Sequence, residues 1–458
     1  MSSLHVDLDL VRKHNVAGPR YTSYPPATRF TEEFSREELE LRIEANNRSD
    51  RDLSLYFHIP FCETLCWFCG CTTVITTDHS RASGYISLLE REVERLKARI
   101  SPTRKVVQLH FGGGSPTFLA PDEIRRLGAL IHKHFTFSPN IEASVEVDPR
   151  RLSRDHLLTL REIGINRASM GVQDFDPEVQ KAIHRIQPRA MTEQAVAWMR
   201  ELGFGSVNLD LIYGLPHQTV ASFEKTLATV LEMSPDRLSV FSYAHVPWVK
   251  PAQKILEQKH LPSPEEKLGL LKLVIEKLTA DDRYVYIGMD HFARPGDELA
   301  VAQREHKLQR NFQGYSTRAG TDIYAFGMSS ISQIPDAYWQ NEKDLPAYQS
   351  AVEAGREPWH RAYFMTPEDI LRRDVIMRLM CDLGIDFAET SARLGIDFAA
   401  KFAPEIARLS AYEEDGLIRR DANGITVTDT GRLFIRNIAM CFDDSLPTSG
   451  EGRHSRTI

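Results

Sequence analysis

Four of the six cysteines fall within ten residues, in Cys62-Glu-Thr-Leu-Cys66-Trp-Phe-Cys69-Gly-Cys71, whereas Cys381 and Cys441 stand alone near the other end. Thiols this crowded rarely have the backbone geometry to bridge one another, and in a reducing compartment they serve metals better than disulfides. Structural zinc draws its ligands as two separated pairs, and no second Cys or His pair with that spacing follows. A four-iron cluster on the thiolates of Cys62, Cys66 and Cys69 leaves one iron without a protein ligand, open to a small molecule and hence to catalysis. With Cys71 as a fourth ligand the cluster would be closed, a plain electron carrier. The spacing admits both.

Other segments carry groups that chemistry can use, each with a plainer reading beside it. Gly112-Gly113-Gly114-Ser115-Pro116 lets backbone N–H and C=O groups approach a polar ligand, or merely turns a strand into a helix. It lacks the Lys-Ser/Thr ending of a P-loop and the spaced glycines of a dinucleotide fingerprint. Glu146 and Asp210 either cap helices and pair with arginines or face a ligand. Arg185 is either an exposed helix residue or a bidentate clamp for a carboxylate.

These residues need a frame, and the pattern supplies one. Short β-branched apolar runs near Leu53 to Ile59, Val106 to Phe111, Ile141 to Val147, Arg167 to Val172, Val207 to Tyr213 and Leu238 to Ala244 alternate with amphipathic stretches. The stretch after Ser80 sets Tyr85, Leu88, Leu89, Val93 and Leu96 on one helical face and is expected to end at Pro102. Six such units give an α/β fold, a partial (β/α)6 TIM-like barrel. Barrels of this kind place their chemistry at the C-terminal ends of strands. There lie the cysteine loop, the triple glycine, Glu146, Gln173 and Ala244, with Asp210 within the fifth strand, all collected at one mouth.

At 458 residues, with 42% hydrophobic and 26% charged residues, the chain has the composition of a soluble globular protein of more than one domain. It contains no apolar run long enough to cross a bilayer, and Met1 to Leu10 has neither the basic start nor the apolar core of a secretory signal. A cytoplasmic protein without membrane partners is expected. The formal net charge of -7 argues against a general nucleic-acid surface.

Cys62 to Cys71, with Trp67 and Phe68, resembles the cysteine signature of the radical S-adenosylmethionine superfamily. Within it, the order Arg20-Tyr-Thr-Ser-Tyr-Pro25, His58-Ile-Pro-Phe-Cys62, Gly112-Gly-Gly, Glu146-Val-Asp-Pro149 and Gly171-Val-Gln-Asp-Phe175 resembles the branch that decarboxylates coproporphyrinogen III without oxygen. Asn208-Leu-Asp-Leu-Ile-Tyr-Gly-Leu-Pro216, Gly288-Met-Asp-His-Phe-Ala-Arg-Pro295 and Arg310-Asn-Phe-Gln-Gly-Tyr315 continue the likeness over nearly the whole chain. The resemblance implies one [4Fe-4S] cluster on Cys62, Cys66 and Cys69, with Cys71 outside the first shell, and two S-adenosyl-L-methionine molecules. Tyr56, Gly113, Glu146 and Ile331 would contact the first, while Phe68, Gly114, Ser115, Gln173, Arg185, Asp210 and Ala244 would surround the second. Ser115 stands where the family usually has Thr. Arg20 would pair with a substrate propionate, and Phe312 and Gln313 would help enclose the reaction chamber. Implied with them are conversion of the ring A and B propionates to vinyl groups by a 5'-deoxyadenosyl radical, an electron donor such as flavodoxin or ferredoxin, and an electron acceptor.

The same reading divides the chain into an N-terminal arm at 1–35, a catalytic barrel with its extension at 36–364, and a mostly helical C-terminal domain at 365–458. In the last, two short strands around Asn423-Gly424, followed by a helix from about Thr430, resemble a winged-helix element suited to a lid or packing role. The polar tail after Ser445 is expected to be flexible. A monomer is the default. Rival readings are a heme chaperone of a related branch, a closed-cluster electron carrier, and a heme-degrading radical methyltransferase.

Overall fold

The computed structural model describes residues 4–446 and Thr457, so most of the tail expected to be flexible lies outside the described residues. The chain divides into two compact units. One comprises Phe30–Lys267 and Gly320–Phe364, the other Met1–Arg29, Leu268–Ala319 and Met365–Ile458.

In the first unit the six apolar runs become parallel strands in chain order, Leu53–Ile59, Lys105–Gly113, Thr136–Val147, Arg167–Gln173, Ser206–Tyr213 and Arg237–Ser242. Their side chains alternate in kind. On the first strand Leu53, Leu55, Phe57 and Ile59 are buried apolar residues, while Ser54, Tyr56 and His58 point the other way. The polar set bonds across strands, Ser54 Oγ donating to Gln108 Oε1 at 2.8 Å and Gln108 Nε2 to Glu142 at 3.1 Å. The sheet thus has an apolar face for helices and a polar face for a lumen. Helix Ser80–Lys97 buries Tyr85, Leu88, Leu89, Val93 and Leu96 as its periodicity requires, but it stops at Lys97, before Pro102 is reached.

A seventh parallel strand lies outside the six runs expected from sequence. Asp322–Phe326 pairs with the first strand on the side away from Lys105–Gly113, in the register Leu53↔Asp322 to Phe57↔Phe326. An antiparallel meander follows, through Ile331–Ile334, Ala337–Asn341 and Trp359–Phe364. Two buried carboxylates tie this added sheet to the barrel. Asp322 is fully buried, ion-paired to Arg104, bonded to Arg51 Nε at 2.7 Å and to Asn46 Nδ2 at 2.5 Å. Glu92 accepts from Tyr348 Oη and Asn341 Nδ2, each at 2.6 Å, and from the Gly327 N–H at 2.8 Å. Burial outweighs these bonds and pushes Glu92 up to about 7.

The second unit is built on helix Pro367–Asp382, which starts at a Thr366 capping box and buries Val375, Ile376, Leu379 and Met380. Phe398, Phe402, Ile438 and Phe442 complete its core together with Tyr21 and Tyr24 from the N-terminal segment. The Tyr21 and Tyr24 hydroxyls donate to Asp443 at 2.7 Å and Asp444 at 2.9 Å. Strands Ile418–Arg420 and Gly424–Val427 pair antiparallel, and Gly384–Asp386 adds a third strand beyond Gly424–Val427. A 3-10 turn at Gly431–Phe434 precedes helix Ile435–Met440, so the regular helix begins later than Thr430. Among the described residues no helix is long and apolar enough to cross a membrane.

Candidate active site

The cysteine loop leaves the first strand through the short strand Phe61–Cys62, which pairs with Val74–Ile75 and so clamps both ends of the loop. Within it the Trp67 N–H donates to the Ile183 carbonyl at 3.1 Å, and the Trp67 ring stacks on His184 at 4.9 Å. Cys66 is buried, Cys62 and Cys69 are half-buried, and Cys71 is exposed. Two guanidinium groups face the Cys66 sulfur, Arg150 Nη2 at 3.5 Å and Arg185 Nη1 at 3.6 Å. Both also hold Asp148, which they keep down at about 2 against the effect of its burial. A hydrogen bond from the Cys71 thiol pulls Cys69 down to about 6, and the same contact holds Cys71 well above the thiol range. Burial, with the neighbouring thiols Cys69 and Cys66, pushes Cys62 up to about 12.

This donor set fits a four-iron cluster better than a single ion. A four-iron cluster takes three thiolates at separate iron corners, a set that three cysteines on one clamped loop can supply. Cationic groups beside a sulfur favour the thiolate, the form that binds iron. A cavity of about 260 Å³ opens beside the loop, lined by Cys62, Thr64, Ser115, Phe118, Asp148 and Arg150.

The triple glycine ends the second strand against the first. The Gly114 N–H donates to the Ile59 carbonyl at 2.8 Å and the Ser115 N–H to that of Phe61 at 2.9 Å. A Cβ on Gly113, whose φ is +114°, would stand 2.5 Å from the His58 ring, and one on Gly114 2.5 Å from the Pro60 oxygen. Packing against the cysteine loop therefore demands these glycines, and the plain turn reading understates them. The Gly113 N–H also donates to Glu146 at 3.1 Å.

Glu146 is surrounded by barrel strands yet 46% of its side chain is accessible, so it looks into the lumen. Its burial opposes ionisation, but His110 at 3.4 Å, the Gly113 N–H and His58 together hold the carboxyl below its usual range. An ionised carboxylate facing an open lumen is suited to receive an ammonium group. Asp210 shares that lumen and behaves differently. Burial, then the charge of Glu146, pushes it up to about 6 although Ser169 Oγ donates at 3.0 Å and Asn208 Nδ2 at 2.7 Å.

Of the other residues singled out from sequence, Tyr56 stacks on His110 at 5.7 Å and bonds His58 at 3.1 Å. Arg185 Nη2 donates to the Gly171 carbonyl at 2.8 Å. Gln173, mostly buried at φ +69°, sets its side-chain amide 2.5 Å from where a Cβ on Gly171 would lie. Ser115 Oγ lies 3.2 Å from Thr117 Oγ1, and the Phe68 carbonyl accepts from Gln253 at 3.0 Å. Ala244 is exposed just past the sixth strand. Ile331 opens the first meander strand, two residues after Ser329, whose hydroxyl is 3.4 Å from His58. Arg20, Phe312 and Gln313 belong to the second unit. There Arg20 is ion-paired to Asp290, Phe312 and Gln313 form the turn between strands Gln309–Asn311 and Gly314–Ser316, and Arg310 donates to the Tyr21 carbonyl at 3.1 Å.

Three neighbours of this site went unremarked as functional groups in the sequence. His58 and His110 sit at lumen positions of the first two strands, and Arg150 follows Glu146 by four residues. The alternation Gln108, His110, Gly112 along an otherwise apolar run was the signal for His110.

A polar-lined parallel barrel that carries three cysteines in a clamped loop beside its first strand defines a radical S-adenosylmethionine enzyme. Residues 56–230 match the sequence profile of the Radical SAM superfamily and residues 365–434 that of the HemN C-terminal domain. The oxygen-independent coproporphyrinogen III oxidase of Escherichia coli strain K12 is 48% identical over 442 residues, 96% of this chain and 95% of its own. That of Pseudomonas aeruginosa is 44% identical over 460 residues, all of both chains. The solved structure of coproporphyrinogen III oxidase (HemN) from Escherichia coli, described as a radical SAM enzyme, matches with a TM-score of 0.91 at 45% identity, covering 97% of this chain and 100% of that one. The chain belongs to the oxygen-independent coproporphyrinogen III oxidase family.

Proposed function

We propose that this protein oxidatively decarboxylates the ring A and B propionates of coproporphyrinogen III, giving protoporphyrinogen IX in heme and porphyrin biosynthesis. The observation that carries the reading is the pairing of a clamped three-cysteine loop with the ionised, lumen-facing Glu146, inside a chain 48% identical to such an oxidase over nearly its full length. Cys62, Cys66 and Cys69 hold one [4Fe-4S] cluster, and Cys71 stays outside it. When bound, the cluster and S-adenosyl-L-methionine supply a carbon radical able to remove a propionate hydrogen that no protein base can reach as a proton.

The chain's own groups bind and orient. Glu146 receives the amino group of a first S-adenosyl-L-methionine, with Tyr56, Gly113 and Ile331 around it. Phe68, Gly114, Ser115, Gln173, Arg185, Asp210 and Ala244 surround a second. Arg20 pairs with a propionate through its planar fork, and Phe312 and Gln313 help to exclude water. Each propionate side chain loses one hydrogen atom, one carbon dioxide and one electron to become vinyl, so an electron acceptor is required for each turnover. A one-electron donor such as flavodoxin or ferredoxin keeps the cluster reduced.

In this reading residues 1–35 form an arm at the substrate opening, 36–364 the catalytic barrel and its extension, and 365–458 a helical domain with a winged-helix-like element in a lid or packing role. The protein acts as a cytoplasmic monomer without nucleic-acid or membrane partners. The test is an anaerobic assay of reconstituted, reduced protein with S-adenosyl-L-methionine, coproporphyrinogen III and an electron acceptor. Loss of two carbon dioxide units per tetrapyrrole, coupled to 5'-deoxyadenosine and absent in Cys62→Ala, is expected. An intact cluster that yields neither product while heme binds tightly would replace the oxidase by a heme chaperone.

A further inference from the structure

The cysteine loop carries an apolar surface that the chemistry above does not use. Of the eleven large apolar side chains exposed among the described residues, six lie on this loop or on segments bonded to it, namely Leu65, Ile75, Ile186, Trp248, Val249 and Ile255. Ile75 pairs in register with Cys62. Ile186 follows His184 and Arg185, which contact Trp67 and the Cys66 sulfur. Trp248 and Val249, 60% and 62% exposed, precede Lys250, whose Nζ donates to the Cys71 carbonyl at 2.7 Å. Ile255 lies in the 3-10 helix Pro251–Gln258, whose Gln253 bonds the Phe68 carbonyl. Single exposed apolar residues need no explanation, but such a concentration marks a contact surface.

The charges around it are mostly cationic. Lys250, the exposed Lys254, and Lys259, whose ammonium stands 4.6 Å over the Trp67 ring, lie on the same segment. Of the nearby acids, Glu63 is paired with Arg151 and Asp148 with Arg150 and Arg185, while Glu257 bonds His245 at 3.1 Å. Exposed apolar side chains that include a tryptophan, interspersed with lysines, have the make-up of a protein interface. It lies where the proposed iron ligands come nearest to solvent, with Cys62 and Cys69 half-buried and Cys71 exposed.

We infer that this surface docks an acidic one-electron carrier protein, which delivers its electron to the cluster on Cys62, Cys66 and Cys69. The inference rests on the cluster reading given under the proposed function. The carrier is oxidised by one electron and the cluster reduced by one, with no bond or proton transferred. Such an encounter needs only a small interface, and opposite charge raises its rate in a salt-dependent way.

The test compares two reductants of the reconstituted full-length protein in anaerobic stopped flow, pre-reduced flavodoxin as the acidic protein probe and dithionite as the small-molecule control. In the double variant Trp248→Ser, Lys254→Glu, both positions being exposed, cluster reduction by flavodoxin is expected to slow about tenfold at low salt. The wild-type rate with flavodoxin should itself fall between about 50 and about 500 mM salt. Reduction by dithionite, and 5'-deoxyadenosine formation under dithionite, should be unchanged. A flavodoxin rate that the variant leaves intact overturns the docking assignment, as does equal slowing with both reductants, which would place these residues in the cofactor or substrate chamber. Wild-type protein that assembles no dithionite-reducible cluster would remove the reading beneath it, and the docking surface with it.

Discussion

Replacing Asp210 by Asn should stabilise the cofactor-free barrel, by an amount that depends on pH in a defined way. The Asp210 carboxyl rises from 3.8 to about 6 on folding because it is buried beside Glu146. A carboxyl whose folded value is raised contributes stability that is fully present below about pH 3.8 and lost as pH climbs through about 6. The shift is about two units, or about 3 kcal/mol of destabilisation at neutral pH, and about half of that once solvent reaching the lumen screens the two charges. Asn keeps the shape and the bonds, its carbonyl accepting from Asn208 and its amide donating to Ser169. Urea unfolding of cluster-free wild type and variant, run from about pH 4 to about pH 8, should show a gain that grows up to about pH 6 and is flat above about pH 6.5. A gain independent of pH, or a loss at neutral pH, would refute the account of Asp210 as a strained charge.

The remaining expectations follow from neighbouring geometry. Asp322→Ala leaves the buried Arg104 guanidinium without its partner and should cost about 3–5 kcal/mol in denaturant unfolding, at least as much as any surface charge removal. Gly113→Ala forces a Cβ onto the His58 ring at positive φ and should lower the thermal midpoint by several degrees, whereas Gly70→Ala, with nothing within 4 Å, should leave it unchanged. Iron and sulfide analysis after anaerobic reconstitution should find a full cluster in Cys71→Ala and none in Cys66→Ala, since Cys71 is the exposed member of the four; loss of iron in Cys71→Ala would make it a ligand.

What the sequence disclosed and what it withheld divide by distance along the chain. Six strands were readable because each is a short apolar run set between amphipathic stretches, and the gathering of Glu146 and Asp210 at one lumen followed from their places on such strands. The partnership of Asp322–Phe326 with Leu53–Ile59 was not readable, for its partner lies far back in the chain. Glu92 was hidden for a related reason: on helix Ser80–Lys97 it reads as one more charged residue among several, and only the meander's Asn341 and Tyr348 make it a buried acceptor. The triple glycine is only half explained by sequence, because the atoms that forbid a Cβ on Gly113 and Gly114 belong to His58 on the first strand and Pro60 just after it.

The position of the first strand also bears on how the protein matures. Its two neighbours, Lys105–Gly113 and Asp322–Phe326, are separated by nearly half the chain, and the cysteine loop hangs from its end. During synthesis the strand that carries the cysteine loop remains an open edge until the chain has grown beyond Phe326. Non-local pairing of this kind closes late. The cysteine loop therefore acquires its final surroundings only after more than two thirds of the chain has been made.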